Sequence, residues 1–161
     1  LLSRGRGKPV DLRSILSKLT TEFVPADRLN AVDASGPSVE IPGPQAAALA
    51  MILQELFTNS RKHGAIGSVG GELSIEWSSV DKPEDADASL GREFELVWRE
   101  RGSGPASRAG DAGRVGLRLI EGLAGSELRG SARFEFGESG FACVLNLRLE
   151  SPSPEPLTPT V

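Results

Sequence analysis

The sequence lacks several features that would each indicate a class of protein. Its single cysteine, Cys143, cannot form a disulfide within the chain, and no apolar run approaches the about 20 residues that a membrane-spanning helix needs. The formal net charge of −4 leaves no basic excess with which to bind a nucleic acid or an anionic membrane. We therefore expect a soluble, cytoplasmic protein that has neither of these as a partner.

The motifs of several enzyme classes are also missing. There is one histidine, His63, and no G-x-S-x-G sequence, which argues against a Ser/His/Asp hydrolase. No zinc-ligand spacing occurs, and "RGRGK" at Arg4 to Lys8 does not have the spacing of a P-loop, so we interpret it as a basic linker. Cys143 lies in an alternating apolar segment, which indicates a packing role rather than a nucleophile or metal ligand.

Apolar periodicity predicts three helices and at least four strands. The first helix follows Asp11, the second runs from Gln45 to His63 and stops at Gly64, and the third starts at Gly116. Alternation of apolar residues predicts strands around "LSIEW" and "FELVW", a closing hairpin around the turn "GESG", and two short strands in "RLNAVDASGPSVEIPGP". We expect an α/β fold, a two-layer sandwich with helices on one face of a mixed, mostly antiparallel sheet.

The chain opens without an initiator methionine or a signal-peptide pattern, so we expect it to be a piece of a longer protein. We predict that residues 1–9 are a linker from a missing upstream segment and that residues 10–150 form one domain. The proline-rich residues 151–161 bury too little surface to order themselves, which predicts a disordered tail.

The second predicted helix carries an unusual polar face. Glu55, Asn59 and Lys62 fall within an arc of about 60°, away from the apolar stripe of Leu53 and Phe57. One interpretation is a solvated ladder of side chains. The other is that Glu55 and Asn59 supply oxygen ligands to a hydrated Mg²⁺ while Lys62 faces phosphate. Asparagine is unfavourable inside a helix, which favours the second interpretation.

Two further segments fit a bound nucleotide, and each has a plain alternative. Glu100, Gly102 and Gly104 follow a strand, where glycines let the backbone approach a flat ligand and the carboxylate can accept an exocyclic amine. A glycine-rich turn explains the same residues. Gly116, at the predicted start of the third helix, could offer free N–H groups to an anion, or could simply begin the helix.

In this order, "LQELFTNSRKHGAIG", "WRERGSGP" and "GLRLIEGL" resemble the ATP-binding catalytic domain of the HWE family of bacterial sensor histidine kinases, which has a Bergerat-type ATPase fold. The resemblance covers about Val10 to Leu149. It implies that Glu55 assists phosphoryl transfer, Asn59 binds Mg²⁺, Lys62 contacts phosphate, His63 lies beside the nucleotide, Glu100 binds the adenine amine next to Gly102 and Gly104, and Gly116 and Leu117 belong to the phosphate loop.

The resemblance also implies an enzyme that uses ATP and Mg²⁺. It would transfer the γ-phosphate to a histidine on a separate dimerisation segment of the same protein, with a response regulator downstream. Gln54, Ser103 and Arg114 depart from the family's pattern. These departures leave two alternatives open, a degenerate nucleotide- or partner-binding regulatory domain without kinase activity and an anti-sigma-type serine kinase on the same fold.

Overall fold

The computed structural model describes residues 7–80, 91–102 and 111–150, which contain three α-helices, a 3-10 helix at Ala26–Ala31 and seven strands. The helices are α1 (Leu12–Phe23), α2 (Gly43–His63) and α3 (Asp111–Ser126). The strands are β1 (Val10–Asp11), β2 (Val32–Ser35), β3 (Glu40–Ile41), β4 (Glu72–Val80), β5 (Arg92–Arg101), β6 (Ser131–Phe136) and β7 (Gly140–Leu149). Gly104, Ser103 and the predicted tail at 151–161 lie outside the described residues.

The first two helices form where the sequence predicts them. Asp11 caps α1, since its side chain accepts a hydrogen bond from the Arg13 N–H at 3.3 Å, and Leu12 and Leu16 bury the apolar stripe of this helix. The second helix begins at Gly43, two residues before the predicted start, and has a proline in its first turn. It ends at His63, as predicted.

Gly64 is the C-cap of α2, and there is no room for a side chain at this position. A Cβ at this position would clash with Glu100 Oε1 and would lie 2.9 Å from the Ser60 Cα. The backbone of Gly64 itself is extended, with φ −123° and ψ −153°. Glycine is therefore needed here for the close approach of a carboxylate, and this approach places the end of α2 against the end of β5.

A five-stranded sheet has the order β2-β4-β5-β7-β6, and a separate two-stranded sheet pairs β1 with β3. In the larger sheet β2 runs parallel to β4 and the other pairs are antiparallel. The prediction of a mixed, mostly antiparallel sheet is confirmed. The two short strands predicted before α2 both form, but they belong to different sheets.

One face of the large sheet packs against the helices. Leu73, Ile75 and Trp77 of β4 are buried, as are the alternate residues Phe94, Leu96 and Trp98 of β5, and all lie in one core cluster with residues of all three helices. Cys143 on β7 is fully buried in the same cluster. This arrangement confirms the two-layer architecture. No helix within the described ranges has the length and apolar character needed to cross a membrane.

The prediction that α3 starts at Gly116 is wrong. The helix begins at Asp111, so Gly116 is its sixth residue. Only the first four N–H groups of a helix lack an intrahelical acceptor, and Gly116 is beyond them. Helix formation extends upstream into a segment rich in glycine and alanine that the apolar periodicity did not include. Gly116 therefore cannot offer the free N–H group that the sequence interpretation gave it.

Candidate functional site

Helix α3 brings Gly116 against the polar face of α2. A Cβ on Gly116 would lie 2.9 Å from Glu55 Oε2 and 3.5 Å from Asn59 Nδ2. Glu55 and Asn59 are both half-buried, whereas Gly116 is buried. Two of the three sequence motifs thus meet in space, and a glycine at position 116 permits the close approach of α3 to the carboxylate and the amide.

The Glu55 and Asn59 side chains fit a magnesium ion. Carboxylate and amide oxygens are hard ligands of the kind that Mg²⁺ prefers, and this ion usually keeps several waters or phosphate oxygens in its coordination shell. Across residues 7–80, 91–102 and 111–150, no group of three or more His, Cys, Asp or Glu side chains could hold a metal ion. Glu55 and Asn59 would be two protein ligands, which suits a metal that arrives with a phosphate.

Glu100 is buried and accepts three hydrogen bonds. Its Oε1 atom accepts from Ser60 Oγ at 2.5 Å and from the Ala65 N–H at 2.8 Å, and its Oε2 atom accepts from Trp98 Nε1 at 3.0 Å. The whole residue is 4% exposed. Three donors suit an ionised carboxylate, which can only accept hydrogen bonds. Among the residues that the structure describes, Oε2 has one partner, so it keeps the capacity to accept one more hydrogen bond.

Aromatic rings lie next to Glu100 and help to fix its surroundings. Trp98, its hydrogen-bond donor, packs edge-on against Phe57 of α2 with ring centroids 4.9 Å apart. Phe141 is the direct partner of Glu100 across β5 and β7, so both side chains point to the same face of the sheet. Phe141 is half-buried and lies 5.3 Å from the ring of Phe136, which is 50% exposed. An apolar aromatic surface thus adjoins the carboxylate.

Gly102 adopts a positive φ of 77°, a conformation that favours glycine. A Cβ there would lie 3.0 Å from the Gly70 carbonyl oxygen and 3.3 Å from the Gly71 Cα. The sequence interpretation gave this glycine a close approach to a ligand. The structure gives it a close approach to the loop that follows α2, and a role toward a ligand stays a prediction.

Lys62 and His63 occupy the last turn of α2, and both are exposed. Cations at this end of a helix are favoured by the helix dipole, whether or not they bind phosphate. Leu117 follows Gly116 on α3 and packs, half-buried, against the core. The ligand contacts of Lys62, His63 and Leu117 stay predictions.

Sequence reasoning missed Ser60, although a signal for it was present. Ser60 follows Leu56 and Phe57 at helical spacing, so it continues the buried stripe of α2, and a polar residue in that stripe needs a partner. The burial of Glu100 also had a signal. Glu100 lies two residues after Trp98 and four after Leu96 on β5, so strand alternation places all three side chains on the core face of the sheet.

Comparison with curated sequences finds blue-light-activated histidine kinases. The chain is 34% identical over 124 residues, 75% of its length, to blue-light-activated histidine kinase 1 of Erythrobacter litoralis (strain HTCC2594). It is 29% identical over 122 residues to the blue-light-activated histidine kinase of Rhizobium johnstonii. The chain covers 31% and 32% of these two relatives, about a third of their length. No protein-family model matches it.

Comparison with solved structures decides the fold. The histidine kinase domain of an Erythrobacter litoralis blue-light-activated histidine kinase superposes with a TM-score of 0.62 at 15% identity, covering 92% of this chain and 66% of that one. The catalytic domain of the histidine kinase ThkA gives a TM-score of 0.61 at 11% identity, covering 89% of this chain and 97% of that one. The chain has the fold of a histidine kinase catalytic domain. The predicted resemblance to histidine kinases is therefore confirmed, and α2, β5 and α3 are the elements that position the candidate site of this catalytic-domain fold.

Proposed function

We propose that this histidine kinase-type domain binds Mg-ATP and passes the γ-phosphate to a histidine on a separate dimerisation segment. The observation that carries the proposal is the close approach of Gly116 to Glu55 and Asn59, because it brings the third sequence motif against the helix face that carries two oxygen-bearing side chains. Phosphoryl transfer depends mainly on positioning and charge neutralisation, so few reactive groups are required of the protein. A response regulator would receive the phosphate afterwards.

Asn59 and Glu55 would hold the magnesium ion together with phosphate oxygens. When bound, Mg²⁺ would neutralise charge on the phosphates. Lys62, exposed at the end of the same helix, would contact a phosphate as a mobile point charge. Glu55, half-buried beside Gly116, would also help to hold the transferring group in line. His63 would lie beside the nucleotide, with Gly116 and Leu117 near its phosphates.

Glu100 would recognise the base. Its Oε2 atom keeps acceptor capacity beyond the Trp98 hydrogen bond, and an adenine amine is a donor that could use it. Phe141, on the same face of the sheet, offers an apolar ring beside that acceptor. A guanine base presents a carbonyl oxygen at the corresponding position and would leave the buried carboxylate facing another acceptor.

The magnesium requirement tests the metal side of the proposal. We expect calorimetry to show that ATP binds more tightly with Mg²⁺ than without it, and that Asn59→Ala removes this difference because one of two protein ligands is lost. Asn146→Ala, an exposed position on β7, is the matched control and should keep the difference. If the unsubstituted domain binds no ATP at millimolar nucleotide, the proposal is wrong and a regulatory domain without kinase activity is favoured.

Base selectivity tests the role of Glu100. We expect GTP to bind about 10- to 100-fold more weakly than ATP, the range that follows when a buried polar group loses its partner. Glu100→Gln should reduce this difference, since an amide can donate as well as accept. Equal affinity of the unsubstituted domain for ATP and GTP would remove Glu100 from base recognition.

A further inference from the structure

Arg28, which lies in the 3-10 helix and is half-buried, donates to three carbonyl oxygens of one short segment. The distances are 2.6 Å from Nη1 to the Ser68 oxygen, 2.7 Å from Nη2 to the Gly71 oxygen and 3.3 Å from Nη2 to the Ala65 oxygen. We call the segment Gly64–Gly71 the post-α2 loop. A planar guanidinium with five N–H donors can hold several carbonyls in a fixed arrangement, which a lysine cannot do.

The same loop contacts the candidate base-recognition residue on its other side. Ala65 contacts both residues: its carbonyl oxygen accepts from Arg28, and its N–H donates to Glu100 Oε1 at 2.8 Å. The Gly67 N–H donates to the Ser60 carbonyl at 3.1 Å. The post-α2 loop therefore lies between the Arg28 guanidinium and the Glu100 carboxylate.

The composition of the loop explains why it needs such a contact. Four of its eight residues, Gly64, Gly67, Gly70 and Gly71, are glycines, which lose more conformational freedom on folding than other residues. Its internal hydrogen bonds, from Ser68 N to the Ala65 oxygen and from Gly71 N to the Ser68 oxygen, form turns but do not tie it to the sheet. The three hydrogen bonds from Arg28 add to the loop's contacts with Ser60 and Glu100, and they offset part of this entropy.

We propose that Arg28 is a positioning residue for base recognition. It fixes the post-α2 loop so that the Ala65 N–H holds Glu100 Oε1, which leaves Oε2 directed at the nucleotide base. This inference rests on the proposed function, because it presupposes that Glu100 recognises the base. Arg28 would act on ATP selectivity through the post-α2 loop, without contacting the nucleotide. Loss of the guanidinium lets the loop and the carboxylate move, and the preference for an amine donor declines.

The test compares Arg28→Met and Arg28→Lys with Arg13→Met. Arg13 is a matched control because it also donates to a backbone carbonyl, that of Gly36 at 2.8 Å, and its guanidinium lies 5.2 Å from the Trp77 ring centroid. Calorimetry with Mg²⁺ gives the dissociation constants of ATP and GTP for each variant, and thermal unfolding gives Tm. A role confined to stability would lower Tm without changing the ratio of the two dissociation constants.

We expect both Arg28 variants to bind ATP about tenfold more weakly, the effect of losing a charge-assisted hydrogen bond, while GTP affinity changes little. The ATP preference should therefore fall, and Arg13→Met should keep it even where its Tm drops. A further variant, Arg28→Ala, leaves space for a free guanidinium ion in place of the missing side chain. Guanidinium chloride at low millimolar concentration should restore part of its ATP affinity, which keeps the inference testable if Arg28→Met folds poorly.

The outcomes separate this inference from the proposed function. An Arg28→Met domain that keeps the ATP-to-GTP ratio of the unsubstituted domain overturns the inference and leaves the proposed function standing. Absence of ATP binding by the unsubstituted domain contradicts the proposed function and this inference with it. A selectivity loss of equal size in Arg13→Met would also overturn the role of Arg28, because it would show that any loss of stability has the same effect.

Discussion

The Ser60 hydroxyl on α2 donates a 2.5 Å hydrogen bond to Glu100 Oε1 on β5. Ser60 is fully buried and also accepts a hydrogen bond from the Ile66 N–H at 3.2 Å. Its chain neighbour Asn59 lies against Gly116 of α3. The Ser60 hydrogen bond thus links Glu100, the residue proposed for the base, to the helix that carries Asn59, the residue proposed for the metal.

We expect Ser60→Ala to lower the free energy of unfolding by about 1–3 kcal/mol, because a buried carboxylate loses one of its three donors. Urea denaturation measures this loss. Ser78→Ala, at an exposed position on β4, is the control and should change stability by less than about 0.5 kcal/mol. Equal stability of the two variants would show that the Ser60 hydrogen bond contributes nothing net to folding.

We expect Gly116→Ala to weaken Mg-ATP binding without unfolding the domain. A Cβ 2.9 Å from Glu55 Oε2 forces that carboxylate to shift, whereas alanine raises intrinsic helix stability by up to about 1 kcal/mol. Gly122→Ala on the same helix meets nothing within 4 Å and is the matched control. It should stabilise the domain and leave ATP affinity unchanged. Comparable affinity for both variants would place the nucleotide elsewhere.

The sequence predicts the site helix well because local signals determine it. The polar face of Glu55 and Asn59 follows from helical periodicity, and Gly64 marks the end of α2 correctly. The start of α3 is predicted wrongly because "GDAGR" carries no apolar repeat and has weak helix propensity. Periodicity detects the face that a helix buries, and the first turn of α3 contributes little to that pattern.

Long-range contacts have no comparable signal in the sequence. Arg28 recognises backbone carbonyls some 40 positions further along the chain, and carbonyls are present at every residue whatever its side chain. The parallel pairing of Val32–Ser35 with β4 is equally hidden, because a short strand can add to any exposed edge. Both features depend on tertiary packing, which alternation and spacing alone do not specify.

We expect the Cys143 thiol to be unreactive in the folded domain at pH 8. Burial raises the pKa of Cys143 from 9.0 to about 12, so the nucleophilic thiolate is scarce, and the side chain is also inaccessible. A chromogenic disulfide reagent should label it only in denaturant. Because the pKa is raised in the folded state, the stability from this group is fully present below pH 9 and is lost as the pH rises toward 12. Rapid labelling without denaturant would contradict its placement in the core, and Cys143→Ala provides the unlabelled control.

We expect the isolated domain not to phosphorylate its own histidine. His63 lies on α2 four residues after Asn59 and directly after Lys62, so in the proposed complex it is on the side that holds the phosphates. An attacking group must instead approach the γ-phosphate opposite the leaving oxygen. Incubation with γ-labelled ATP should therefore give no acid-labile, alkali-stable label.

Addition of the implied histidine-bearing dimerisation segment should produce that label, more weakly as a separate chain than when fused upstream, because tethering raises its effective concentration. Asn59→Ala should abolish transfer, and His63→Gln should preserve it. Label on His63 in the isolated domain would show that this residue can reach the in-line position. A fused protein that binds ATP but never labels an intact acceptor histidine would contradict the kinase activity while leaving nucleotide binding in place.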